Sequence, residues 1–127
     1  MHIMISLNLI PALGKLGGSI VSKTPGVKEK VLKMAQEASE PALKYAHFNV
    51  YSFDYLEELA ETEVPVLLIR CEHDRAMNRV LDSTLKVLEF SENGHVVEMP
   101  DAGHFANLDD PVQFNRILEN WYQEITG

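Results

Sequence analysis

Two side chains in this sequence have the types needed for a proton relay. Asp74 lies in the run Arg70-Cys71-Glu72-His73-Asp74-Arg75, and His104 in Pro100-Asp101-Ala102-Gly103-His104-Phe105. A carboxylate beside an imidazole fixes the ring's tautomer and stabilises the imidazolium that forms when the histidine takes a proton from a nucleophile. Each run follows an apolar segment directly, and in open parallel sheets reactive groups gather beyond the carboxyl ends of the strands. The expectation is two neighbouring loops at one sheet edge, one carrying the acid and the other the base. Cys71 abuts a strand, where a packed and inert thiol is the commoner outcome, so it is not taken as a nucleophile. His73, His95 and His104 with Asp74 show no His-Glu-x-x-His or comparable spacing, so no metal and no cofactor is assigned.

The elements that must position these loops are legible downstream of Glu63. Val64-Pro65-Val66-Leu67-Leu68-Ile69 has the pattern of a parallel strand covered on both faces, with Pro65 tolerable at its start. Arg79 to Phe90 reads as a helix with Val80, Leu81, Leu85 and Leu88 facing inward, and Ser91-Glu92-Asn93-Gly94 closes it as a turn. His95 to Met99 is the next strand, and Pro100 to Gly103 a turn. Asp109-Asp110-Pro111 then supplies an acidic helix start, followed by the stripe Phe114, Ile117, Leu118, Trp121 and Ile125. Strand, helix, strand, helix calls for a parallel sheet with right-handed crossovers.

Upstream, Ile3 to Ile10 reads as a strand with Ile3, Ile5, Leu7 and Leu9 on one face, and Pro11 to Gly26 as a loop. Val27, Val31, Met34, Ala35 and Ala38 recur at helical spacing over residues 27–38. Ser39-Glu40-Pro41 interrupts that helix, and a second piece is expected over Pro41 to His47. A further short helix is expected over Phe53 to Ala60, capped by Ser52 with Asp54 in its first turn.

Composition narrows the classes. The 127 residues suit one domain, and 46% apolar with 24% charged residues is ordinary for a folded globular chain. A net charge of -8 repels phosphate backbones and anionic lipid, so neither nucleic acid nor membrane is an expected partner. One cysteine allows no intrachain disulfide and no Cys-based zinc cluster, and a reducing cytoplasm is the expected compartment. The apolar start lacks a positively charged n-region and is broken by Asn8, Pro11 and Lys15, so neither a signal peptide nor a membrane span is expected.

The run from Val64 to Asp74 resembles the strand and loop that deliver the catalytic acid in α/β-hydrolases, often Val-Pro-x-Leu-x-Ile-x-Gly-x-x-Asp. Met99-Pro100-Asp101-Ala102-Gly103-His104-Phe105, followed by Leu108-Asp109-Asp110-Pro111 and Phe114, resembles that family's Gly-His-Phe loop and its Glu/Asp-x-Pro-x-x-Phe helix start. The resemblance implies Asp74 as catalytic acid and His104 as catalytic histidine, in the family's chain order of nucleophile, acid, histidine. It is strongest over Val64 to Trp121. Two departures stand out. No G-x-S-x-G nucleophile elbow exists in the chain, since Gly17-Gly18-Ser19-Ile20-Val21 lacks the final glycine and Ser19 reads as an ordinary loop serine. Cys71 takes the position of a frequent glycine.

The resemblance thus implies an α/β class protein with a partial α/β-hydrolase fold: a few-stranded parallel sheet flanked by helices, with a helical lid-like segment. Residues 1–63 would hold the first core strand and the lid-like segment, and residues 64–127 the C-terminal βαβα part of the core. The implied chemistry is a serine-type hydrolase of ester, amide or related bonds that is incomplete and inactive alone, taking a small-molecule substrate once completed. The alternative is a non-catalytic module from a truncated or split hydrolase, whose unpaired strand edges bind a second copy of itself or the N-terminal hydrolase half.

Overall fold

The computed structural model describes residues 22, 24–50 and 54–127. The expected strand Ile3 to Ile10, Ser19 and the expected cap Ser52 lie outside the described residues. The chain divides into two compact units, Met1–Phe53 and Asp54–Gly127.

In the first unit, helix α1 spans Pro25–Glu37, opening on a proline whose missing N–H is one that no helix start can satisfy internally. It buries Val27 and leaves Lys33 and Glu37 as an exposed pair one turn apart. Helix α2 runs Glu40–Val50, longer than the expected Pro41 to His47. Ser39 explains its earlier start: its hydroxyl accepts the Ala42 amide at 3.3 Å, so Pro41 sits in the first turn, where proline is tolerated. Lys44 and Glu40 add an ion pair at 2.6 Å.

In the second unit, α3 spans Leu56–Glu61, β1 Val66–Cys71, α4 Arg75–Asn78, α5 Asp82–Phe90, β2 Gly94–Met99, α6 Ala106–Asp109 and α7 Pro111–Thr126. Strands β1 and β2 pair in parallel, from Val66 opposite Gly94 to Cys71 opposite Met99. The sheet is small and helices flank it: α5 and α7 both pack against β2, and α3 packs on α5. The core is Cys71, Met99, Ala102 and Ala106, with Ile69, Phe114 and Ile117 packed against it. Among the described residues, no helix is long and apolar enough to cross a membrane.

Three expectations shift, each for a local reason. Strand β1 starts at Val66, leaving Val64 66% exposed, because the proline between them cannot donate and the first cross-bond is Val66 N–H to Asn93 O at 2.9 Å. Of the expected helix from Arg79 to Phe90, Asp82–Phe90 forms as α5, with the separate short helix α4 lying before it at Arg75–Asn78, and Val80 is exposed while Leu88 is buried. Asp74 caps the first of these helices, and Asn78 anchors its end by donating its side-chain amide to Cys71 O at 2.9 Å. The chain therefore turns before the apolar stripe begins. Helix α3 starts at Leu56, whose amide is accepted by Asp54 Oδ1 at 3.2 Å.

Candidate active site

Asp74 ends the tight turn after β1, its amide donating to Cys71 O at 3.2 Å. The side chain is buried and its two oxygens have separate duties. Oδ1 accepts the Met77 amide at 3.3 Å and caps α4, while Oδ2 lies 2.7 Å from His104 Nδ1. A carboxylate can only accept, so Nδ1 carries the shared proton and the Nε2 lone pair is left as the base. Capping and the histidine contact are both made at once, one by each oxygen. The contact joins a mostly buried carboxylate to an imidazole whose side chain is 43% exposed.

His104 is brought there by the loop after β2. The strand ladder continues past the strand ends: Glu72 N–H donates to Met99 O at 3.1 Å and His73 N–H to Ala102 O at 2.9 Å. Asp101 turns the chain with φ 57°, a left-handed conformation that aspartate tolerates better than most residues, and its amide donates to Glu72 Oε2 at 3.0 Å. Gly103 N–H then donates to Asp109 Oδ2 at 2.8 Å. The Phe105 ring meets the imidazole edge-on, with centroids 5.4 Å apart.

Cys71 sits at the last position of β1 with no left-handed backbone, so the departure from glycine is accommodated by ordinary strand geometry. Burial above all, then the negative charges of Asp74, Asp109 and Glu98, push its thiol pKa up. That opposes thiolate chemistry, as the sequence suggested. His95 opposes Leu67 near the start of β2 and stacks edge-on with Trp121, at the far end of the strand from His104. A different trio does meet: His73 Nε2 lies 3.7 Å from Asp101 Oδ1 and 3.9 Å from Glu72 Oε2. Each offers one ligand atom within 4.8 Å of the others, a grouping that bridges the two loop tips.

Beside the Asp74–His104 pair is a cleft of about 320 Å³, lined by Leu68, Met77, Leu81, His104, Asn107 and Phe114 among others. Its walls are mainly apolar, with the imidazole as a convergent polar group, the usual make-up of a small-molecule site.

A family model described as the alpha/beta hydrolase family matches residues 7–117. This chain belongs to that family. No curated protein and no solved structure matched it. Among the described residues no hydroxyl or thiol is hydrogen-bonded to His104, and the sequence contains no G-x-S-x-G.

Sequence reasoning located Asp74 and His104, and the structure brings them together. It did not single out Glu72, Asp101, Asn78 or Asp109 as supports. Asp109 had a readable signal: two acids precede Pro111, yet one cap suffices for a helix, and Asp110 makes it by accepting the Gln113 amide at 2.9 Å.

Proposed function

We propose that this chain supplies the acid and histidine of a serine-type hydrolase acting on ester, amide or related bonds. The observation that carries this reading is the 2.7 Å contact from His104 Nδ1 to Asp74 Oδ2, at the mouth of a mainly apolar cleft. In this reading Asp74 orients His104, and Nε2 takes the proton of a serine hydroxyl and later gives it to the leaving group. The nucleophile and the oxyanion-hole donors come from outside the described residues. Residues 64–127 act as the C-terminal βαβα part of the hydrolase core, and residues 1–63 as a core strand with a helical lid-like segment. The substrate is a small molecule, since an apolar cleft beside one base favours an apolar acyl or alkyl group.

The test has two arms. The chain by itself is expected to hydrolyse a p-nitrophenyl ester no faster than buffer. Saturable turnover abolished by Ser19→Ala would instead make Ser19 the nucleophile. Expressed together with a hydrolase segment carrying G-x-S-x-G, the chain is expected to restore turnover, and His104→Ala to lower it by about 10²- to 10⁴-fold. Restored turnover untouched by His104→Ala refutes the role given to His104.

One observation favours a second reading, a non-catalytic module that binds a partner. Among the described residues β1 and β2 pair only with each other, and Phe90 and Val112 are 87% and 79% exposed. Open edges and apolar surface promote association. This reading expects an oligomer in size-exclusion chromatography; a monomer at all concentrations counts against it.

A further inference from the structure

Asp74 holds the imidazole of His104, but a ring is only as well placed as the backbone that carries it. The peptide group joining Ala102 to Gly103 is held at both ends. Its carbonyl accepts His73 N–H at 2.9 Å, and its N–H donates to Asp109 Oδ2 at 2.8 Å. Ala102 and Gly103 are buried, so this amide has no water to replace a lost acceptor. Helix α6 is what returns Asp109 to that point: Leu108 N–H and Asp109 N–H both donate to Phe105 O, at 2.8 and 2.9 Å. Residues 103–109 thus form a closed loop with the exposed His104 next to the closure. Asp109 is not spent on capping α7, because Asp110 does that.

We propose that Asp109 is a positioning residue for His104, acting through the Gly103 amide. Its value for catalysis rests on the hydrolase reading above, while its geometry does not. An ionised acceptor on a buried amide makes a hydrogen bond roughly twice as strong as a neutral one. With the peptide fixed by His73 N–H and Asp109, and the ring fixed by Asp74, the imidazole is restrained from both directions. Such double restraint is what a proton relay needs, since small misplacements of a base cost large factors in rate.

The experiment uses the full chain and nuclear magnetic resonance, with Asp109→Ala, Asp109→Asn and Asp74→Asn. Three signals are read: hydrogen exchange of the Gly103 amide, the Nδ1 proton resonance with the ring-nitrogen tautomer signature of His104, and exchange of the amides in β1 and β2. Asp109→Ala is expected to speed Gly103 exchange by about tenfold or more and to weaken the His104 Nδ1–H signature, with β1 and β2 still protected. Asp109→Asn, which keeps an acceptor oxygen, is expected to fall between wild type and alanine and to carry the test if the alanine variant does not fold. Asp74→Asn is expected to weaken the Nδ1–H signature while leaving Gly103 protected. A His104 signature unchanged in both Asp109 variants overturns the proposal, and so does an asparagine variant matching wild type at Gly103. Neither readout depends on hydrolysis, so failure of the hydrolase reading shows separately, in the turnover assay with His104→Ala.

Discussion

Gly94 is the point where β2 meets the end of α5, and replacing it with alanine tests whether that junction is as tight as it looks. A Cβ built there would lie 2.4 Å from Leu88 O, 2.9 Å from Leu88 Cα and 3.0 Å from Leu88 C. The first distance is roughly 1 Å inside an ordinary carbon–oxygen approach. All three obstacles are backbone atoms, so no side-chain rotation relieves them. The turn between is tied by Ser91 N–H to Leu88 O at 3.3 Å and Gly94 N–H to Ser91 O at 3.2 Å, and Leu88 is 3% exposed. Relief therefore means moving the end of α5 and its buried leucine off β2. Overpacking of this kind costs about 1–3 kcal/mol, less roughly 0.5–1 kcal/mol recovered from the restricted unfolded chain. The expected net destabilisation is centred a little above about 1 kcal/mol, within a span of about 0–2.5 kcal/mol. Urea unfolding followed by Trp121 fluorescence reads it as a lower midpoint at unchanged slope. A Gly94→Ala midpoint equal to or above wild type would refute the reasoning.

Other outcomes follow from the site. Asp74→Asn keeps an acceptor for the Met77 amide but loses the charge facing His104, and is expected to destabilise by about 1–2 kcal/mol in urea unfolding. Asp74→Ala also removes the cap and is expected to cost about 1 kcal/mol more. For Cys71, whose thiol pKa is raised in the fold, native protein is expected to react with iodoacetamide more slowly than unfolded protein, and to need a more alkaline pH. The same shift gives a sign for stability. Above the unfolded thiol's pKa the unfolded chain releases a proton the native one retains, so stability falls as pH rises toward the folded value. Cys71→Ala removes that alkaline slope, which pH-dependent denaturation measures. Arg70 and Glu98 face each other across the strands at 3.0 Å but are exposed, so Arg70→Ala is expected to change stability by no more than about 1 kcal/mol, and by less at high salt.

How legible the site was depended on how local its causes are. Asp74 and His104 could be paired from sequence because two apolar runs with one helical connection force parallel strands, and parallel strands place their following loops at one end. The helix between them was read with a start three residues early, and the short helix α4 before it was missed, because α4 depends on the Asp74 cap and on Asn78 reaching the carbonyl of Cys71, bonds that apolar periodicity does not register. Asp109 was read only as part of an acidic helix start, because its fold-back onto Gly103 depends on the short helix α6. The trio Glu72, His73 and Asp101 was invisible for a similar reason: Asp101 reaches the other two only after its left-handed turn.

Those nonlocal bonds also explain how two flexible-looking loops hold a 2.7 Å contact. The ladder from Val66 opposite Gly94 to Cys71 opposite Met99 continues as Glu72 N–H to Met99 O and His73 N–H to Ala102 O, so the loops inherit the strands' register. A slip of one residue would turn every inward side chain outward, and a slip of two would shift one loop by roughly 6.6 Å against the other. Either would separate Asp74 from His104 and also pull Cys71 and Met99 out of the core they share with Ala102 and Ala106. Burial therefore enforces the register, and the register enforces the pair. Asp74 and His104 need little binding energy of their own to stay together, so the imidazole can remain partly exposed without loosening the loops that present it.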